Sequence, residues 1–158
     1  MMLLIGILMP ASTAQPISGA AKVITGDTIE LSGRRLKLAG IDAPDVLQGC
    51  RTGQREFYKC GEESWKFLNG LIQKRSVSCS PLDGNHDGQK IARCHIDGKD
   101  LADEIVRNGH AVAAASATYL AAEKEARANK RGLWAGTFVL PSEWRRRMKQ
   151  NPPIGVAK

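Results

Sequence analysis

The chain has 158 residues, of which 42% are hydrophobic and 25% charged, values that are ordinary for a soluble globular protein. Its length fits one domain with a modest core. The sequence contains no internal repeat, no glycine-rich phosphate loop and no Ser-His-Asp spacing, which argues against repeat proteins, P-loop proteins and serine hydrolases. A formal net charge of +7 and a pI near 9.5 favour polyanionic partners, although basicity alone is weak evidence for nucleic acid.

Residues 1–14 predict a signal peptide. Their short apolar core ends at Pro10, and Ser12, Thr13 and Ala14 are small residues of the kind that precede a cleavage site. No Lys or Arg precedes the core, so a buried N-terminal strand and a short membrane anchor are the alternatives. Because the apolar stretch is too short to span a bilayer comfortably, we expect cleavage near Gln15 and a protein that is periplasmic or secreted, with no membrane contact.

The cysteine count agrees with export. An oxidising compartment would pair the four cysteines, for which three connectivities are possible. A Cys50–Cys60 bridge would close a polar loop, and a Cys79–Cys94 bridge would join two predicted strands. Zinc binding is the alternative, but the sequence has no Cys-x-x-Cys pair.

Hydrophobic periodicity divides the following residues into short strands and three helices. Strands are predicted, in chain order, at 17–23, 28–31, 36–41, 76–80 and 90–96. Helices are predicted at 61–72, 101–107 and 117–130. Loops are predicted at 45–59 and 82–88, with Pro81 ending a strand, and the tail 150–158 is predicted to be disordered. Short strands that must hide their edges indicate an α+β fold around a small barrel, in one domain over 17–149.

Two aspartates stand in tight polar corners around the predicted second and third strands. Asp27 lies in Gly-Asp-Thr, and Asp42 lies in Ile-Asp-Ala-Pro-Asp. Paired strands could bring the two corners together, and converging carboxylates suit a hard cation. Arg34, Arg35 and Lys37 lie between the corners, where a basic side chain could face a phosphate. The pattern hints at metal-assisted chemistry on a phosphodiester.

Several ordered motifs resemble the staphylococcal nuclease family. They are VITGDT at 23–28, LKLAGIDAPD at 36–45, DGQKIAR at 87–93, DGKDL at 97–101 and EARANKRGLW at 125–134. The resemblance covers roughly residues 20–147. It implies an OB-fold barrel of five strands with three helices, and calcium-dependent hydrolysis of DNA or RNA phosphodiesters.

The resemblance also implies which residues form the site. The metal ligands of the family fall on Asp27, Asp42 and the carbonyl of Ala43. Its general base falls on Asp45, and its two phosphate-binding arginines fall on Lys37 and Gln89.

Each catalytic position departs from the family pattern. Asp45 is one methylene shorter than glutamate, Lys37 lacks the planar fork of arginine, and Gln89 carries no charge. Thr25 also replaces an acidic residue. Arg35 lies two positions before Lys37 and is a candidate substitute. We therefore expect a monomeric nuclease of weak activity, and the alternative is a catalytically degenerate OB-fold module that binds nucleic acid or a protein.

Overall fold

The computed structural model describes residues 15–114 and 117–152. The strands there are β1 Ile17–Thr25, β2 Thr28–Leu31, β3 Arg34–Leu38, β4 Ile41–Asp42, β5 Cys50–Arg51, β6 Phe57–Tyr58, β7 Ser76–His86, β8 Gln89–Ile96, β9 Lys99–Asp100 and β10 Val112–Ala113. The α-helices are α1 Cys60–Ile72, α2 Leu101–Arg107, α3 Leu120–Ala128 and α4 Pro141–Gln150. Two 3₁₀ turns, Ala117–Tyr119 and Gly132–Ala135, flank α3.

Five of these strands close into a barrel. The order of hydrogen-bonded neighbours is β3-β2-β1-β7-β8, and β3 also pairs in parallel with β8. The other barrel pairings are antiparallel. Closure removes the free edges of the sheet, as short strands require. The structure therefore confirms the α+β class and the five-stranded OB-fold barrel.

Alternating residues of the strands fill the barrel. Ile29, Leu31, Leu36 and Leu38 are each at most 1% exposed, because every second residue of β2 and β3 points inward. Helices α1 and α2 cover the barrel with apolar side chains that belong to the same core. The barrel is therefore a packed core, and polar chemistry is confined to its rim.

The strand β7 is longer than predicted. It continues through Pro81, which pairs with Ala92, and its register shifts between Pro81 and Asn85. A proline is tolerated in a sheet at such an irregularity, because the missing N–H is not needed there. The expectation that Pro81 ends this strand, and that 82–88 is a loop, was wrong.

The described residues form four α-helices, one more than the three that were predicted. Helix α4 begins with Pro141 at its first turn and is mostly charged, with a Glu143–Arg147 pair four residues apart. Pro141, Trp144 and Met148 lie at helical spacing, a short apolar stripe from which no helix was predicted. The predicted helix at 117–130 is shorter, since 117–119 form a 3₁₀ turn and α3 ends at Ala128.

The predicted signal peptide and most of the predicted tail cannot be compared with the structure. Residues 1–14 and 153–158 lie outside the described residues, while Gln150 ends α4. Among the described residues, no helix has the length and apolar character needed to cross a membrane.

Both disulfides form between the pairs considered from the sequence. Cys50–Cys60 joins β5 to the start of α1, and Cys79–Cys94 joins paired positions of β7 and β8. All four cysteines are buried. One bridge thus cross-links two strands of the barrel, and the other links the segment before α1 to the start of that helix.

Replacing Cys79 and Cys94 together by alanine should lower the free energy of unfolding by about 3 kcal/mol, because a bridge across a loop of about 15 residues restricts the unfolded chain. Urea unfolding of the oxidised proteins measures the change. The Cys50→Ala/Cys60→Ala variant, whose cysteines are 10 residues apart, should lose a similar or slightly smaller amount. A loss well under about 1 kcal/mol for the first variant would contradict the expectation.

Candidate functional site

Asp27 lies in the tight turn that joins β1 to β2. Gly26, the residue before it, faces α1 so closely that a Cβ would lie 2.6 Å from the Cβ of Ser64 and 2.9 Å from the Cβ of Ala43. A larger residue would push the turn away from both. Glycine at this position therefore sets Asp27 against the rim of the barrel, where it is only 4% exposed.

The carboxylate of Asp27 accepts hydrogen bonds from four donors. Oδ1 accepts from the hydroxyls of Thr25 at 3.0 Å and Thr28 at 3.1 Å. Oδ2 accepts from the backbone N–H of Ala43 at 2.7 Å and from Nζ of Lys37. A buried carboxylate is costly unless it is hydrogen-bonded and paired, and here it is both.

Asp42 lies on β4, opposite Val112 of β10, and is 8% exposed. Nη2 of Arg145, on α4, lies 2.9 Å from each of its carboxylate oxygens. Burial lowers the pKa of Arg145, but the hydrogen bond and charge of Asp42, with the charges of two further aspartates, give a net rise above the usual value. The guanidinium therefore stays charged beside Asp42.

Lys37 connects the two acids. It extends from β3, where it pairs with Thr28 of β2 and Ile91 of β8. Its Nζ binds Oδ2 of Asp27 and lies 3.9 Å from Oδ1 of Asp42. Its side chain is only 12% exposed. The ammonium is thus held between two carboxylates rather than extended into solvent.

A small cleft of about 100 Å³ brings most of the predicted site residues together. It is lined by Thr25, Asp27, Thr28, Lys37, Ala43, Pro44, Asp45, His86, Asp87, Gln89 and Arg145. Gly61 lets the backbone of Asp45 approach the first turn of α1, because a Cβ at that position would meet the carbonyl oxygen of Asp45 at 1.6 Å. Asp45 is therefore held against the start of α1.

Gln89 reaches the cleft through a hairpin turn. Asp87 and Gly88, both with positive φ, form a two-residue connection between β7 and β8, and His86 pairs with Gln89 across it. This turn places an imidazole and an amide at the cleft that Asp45 also lines.

A larger cavity of about 570 Å³ adjoins the cleft, and Lys37, His86 and Arg145 line both. Its lining includes the apolar residues Leu38, Ile41 and Ile91 and two ion pairs, Arg127–Glu123 and Arg145–Asp42.

The comparison with known protein families settles what the chain is related to. A family model described as a staphylococcal nuclease homologue matches residues 35–136. The chain belongs to the staphylococcal nuclease family.

Individual relatives agree with this assignment. The chain is 34% identical to the succinoglycan biosynthesis protein ExoI of Rhizobium meliloti over 129 residues, which cover 78% of this chain and 68% of the relative. It is 26% identical to an uncharacterized endonuclease of Haemophilus influenzae, over 96% of this chain and 85% of the relative. It is 30% identical to the probable staphylococcal-like nuclease CAN2 of rice, over 79% of this chain but only 33% of the relative.

The calcium ion that the family resemblance implies does not fit this nuclease-family site as it stands. Within 15–114 and 117–152 there is no group of three or more His, Cys, Asp or Glu side chains placed to hold a metal. Both oxygens of Asp27 already accept hydrogen bonds, and the point between Asp27 and Asp42 is held by the Lys37 ammonium. Calcium takes six to eight oxygen ligands, which this donor set does not supply.

Arg145 is the site residue that the sequence did not indicate. No role was predicted for it, whereas the structure directs its guanidinium inward onto Asp42. Arg35, considered as a substitute for a missing arginine, is exposed, pairs with Glu30 across the strands and does not line the cleft. The catalytic roles of Lys37, Asp45 and Gln89, and the role of the Ala43 carbonyl, stay predictions.

Replacing Arg145 by glutamine should destabilise the protein by about 1–3 kcal/mol, since the largely buried carboxylate of Asp42 then loses its bound charge. Urea unfolding measures the loss. Arg146→Gln is the matched control, because Arg146 is exposed and only 3.8 Å from Glu143, and a surface pair contributes under about 1 kcal/mol. Equal losses in the two variants would show that the Asp42–Arg145 contact does not stabilise the fold.

Proposed function

We propose that this chain is an exported nuclease of the family that binds nucleic acid at the Asp27–Gln89 cleft and hydrolyses its phosphodiester bonds slowly. The observation that carries the proposal is that Lys37, Asp45 and Gln89 line one cleft, although Gln89 is 44 residues from Asp45 in the sequence. The relatives described as an endonuclease and as a probable nuclease support the same reaction class. Two disulfides support export to an oxidising compartment.

Each residue of the cleft has a distinct role in this proposal. Asp45, which is half-buried and lies against the start of α1, takes the proton from the attacking water. The positive charge of Lys37 faces the phosphate and stabilises negative charge that develops during the reaction. The amide of Gln89 donates a neutral hydrogen bond where the family pattern has a guanidinium. No step is assigned to calcium, because the donor set does not fit it.

The rate should be low for a physical reason. An arginine that stabilises the transition state of phosphoryl transfer contributes roughly 10³–10⁵ in rate. Here one such position is uncharged, and the other is a lysine whose ammonium is already bound to Asp27. The losses need not multiply, because groups that act together are not additive. Slow turnover is the consequence.

Single-stranded DNA and RNA are the substrates to test first. Purified protein at high concentration should release new phosphate termini, and Asp45→Asn should lower the rate by about 10²–10⁴ because the general base is lost. Asp83→Asn, which changes an exposed acid that does not line the cleft, should leave the rate unaltered. Absence of cleavage by the unmodified protein would refute hydrolysis.

Restoring the missing charge should accelerate the reaction. Gln89→Arg should raise the cleavage rate by at least about tenfold, and by up to about 10³, because a guanidinium then faces the phosphate. Gln54→Arg adds the same charge at an exposed position outside the cleft and serves as its control. If the two variants gain equally, the effect is general attraction of the polyanion and not catalysis at Gln89.

A second candidate function is nucleic-acid binding without hydrolysis. It is favoured by the ion pairs of Lys37 with Asp27 and of Arg145 with Asp42. Because both basic side chains are already paired, neither is free to stabilise the transition state. The net charge of +7 would still attract a polyanion. Binding whose affinity falls with added salt, without cleavage by the Gln89→Arg variant, would favour this candidate.

A further inference from the structure

We propose that Lys37 and Arg145 together take the place of a divalent metal ion, so that the cleft works without one. The inference deepens the proposed function and rests on it only for the identity of the substrate. The inference predicts how the protein binds cations, which can be measured without any nucleic acid.

The position of the ammonium is the first observation. A cation that served both acids would have to lie between Asp27 and Asp42, and Nζ of Lys37 lies there, bound to one carboxylate and 3.9 Å from the other. The side chain is 12% exposed, so the ammonium is not a surface charge that solvent readily displaces.

The balance of charge is the second observation. Asp27 and Asp42 carry two negative charges, and Lys37 and Arg145 carry two positive charges in direct contact with them. The two side chains therefore supply the charge of a divalent ion. Opposite charges at such distances stabilise one another, and a further cation would be repelled by both.

The saturation of the oxygens is the third observation. Hydroxyls of Thr25 and Thr28 bind Oδ1 of Asp27, and the N–H of Ala43 binds Oδ2. Arg145 binds both oxygens of Asp42. A metal would have to displace several charge-assisted hydrogen bonds to reach either carboxylate.

A lysine suits this role because its ammonium is a compact point charge with three donors. In the cleft it neutralises two acids that would otherwise repel an approaching phosphate. Lys37 holds those two acids in place, and because it lines the cleft its charge also faces a bound phosphate. Chelators should consequently have no effect on either binding or cleavage of nucleic acid.

Isothermal titration of the chelator-treated, oxidised full chain with calcium chloride tests the inference. The unmodified protein should show no saturable binding up to about 1 mM calcium, so that any affinity is weaker than that of extracellular calcium modules. Lys37→Gln/Arg145→Gln removes both internal cations and should bind one calcium with a Kd of about 10⁻⁴–10⁻³ M. Lys37→Gln alone should bind more weakly than the double variant.

Arg35→Gln/Arg146→Gln is the matched control, because it removes the same charge from β3 and α4 at exposed positions. It should behave like the unmodified protein. A folded double variant of Lys37 and Arg145 that binds no calcium, or a control that binds as well as it does, would overturn the inference.

The unmodified protein provides a second measurement that does not depend on the variants folding. Its melting temperature should be the same with about 1 mM calcium and with chelator, since a ligand raises the melting temperature only when it binds the folded state. A rise with calcium would overturn the inference directly. Failure of the cleavage assay would leave these results intact, because no nucleic acid is present.

Discussion

The buried carboxylate of Asp27 is the constraint on which the rim of the barrel depends. It draws donors from the β1–β2 turn, from β3 and from the residue that follows β4, so that three segments of the chain are fixed around one charge. An unpaired carboxylate at 4% exposure would be strongly destabilising. With every oxygen satisfied, the network instead specifies how these segments meet. The geometry of the candidate site is therefore set by the same contacts that stabilise the rim.

This dual use creates a conflict between stability and reactivity. A lysine bound to Asp27 stabilises the rim, but it has less freedom to follow a phosphate into a transition state. Arg145 is constrained in the same way, since its guanidinium is already bound to Asp42. Sites that catalyse well usually hold charges that are incompletely compensated. Under the proposed function, this compensation favours a stable site with slow turnover.

The sequence predicts contacts that are local or lie between neighbouring strands, and it fails for those that are remote. Asp27 and Lys37 are ten residues apart, and the strands of their hairpin were predicted, but their ion pair was not, because Lys37 was expected to face a phosphate. Arg145 is 103 residues from Asp42, on a helix that was not predicted, and no local pattern links the two. Pro81 was misread for a related reason: its tolerance within β7 depends on an irregularity in the pairing with β8, which only the folded sheet reveals.

The segment that matches the family model, residues 35–136, contains neither Asp27 nor Arg145. It includes Asp45 and Gln89, and also Lys37 and Asp42, whose ion-pair partners lie in the β1–β2 turn and in α4 respectively. Membership of a family fixes the barrel, while the chemistry of the cleft follows from what surrounds each acid. In this chain the acid pair contacts two cations that are distant from each other in the sequence, Lys37 and Arg145, and their charges balance those of the two acids.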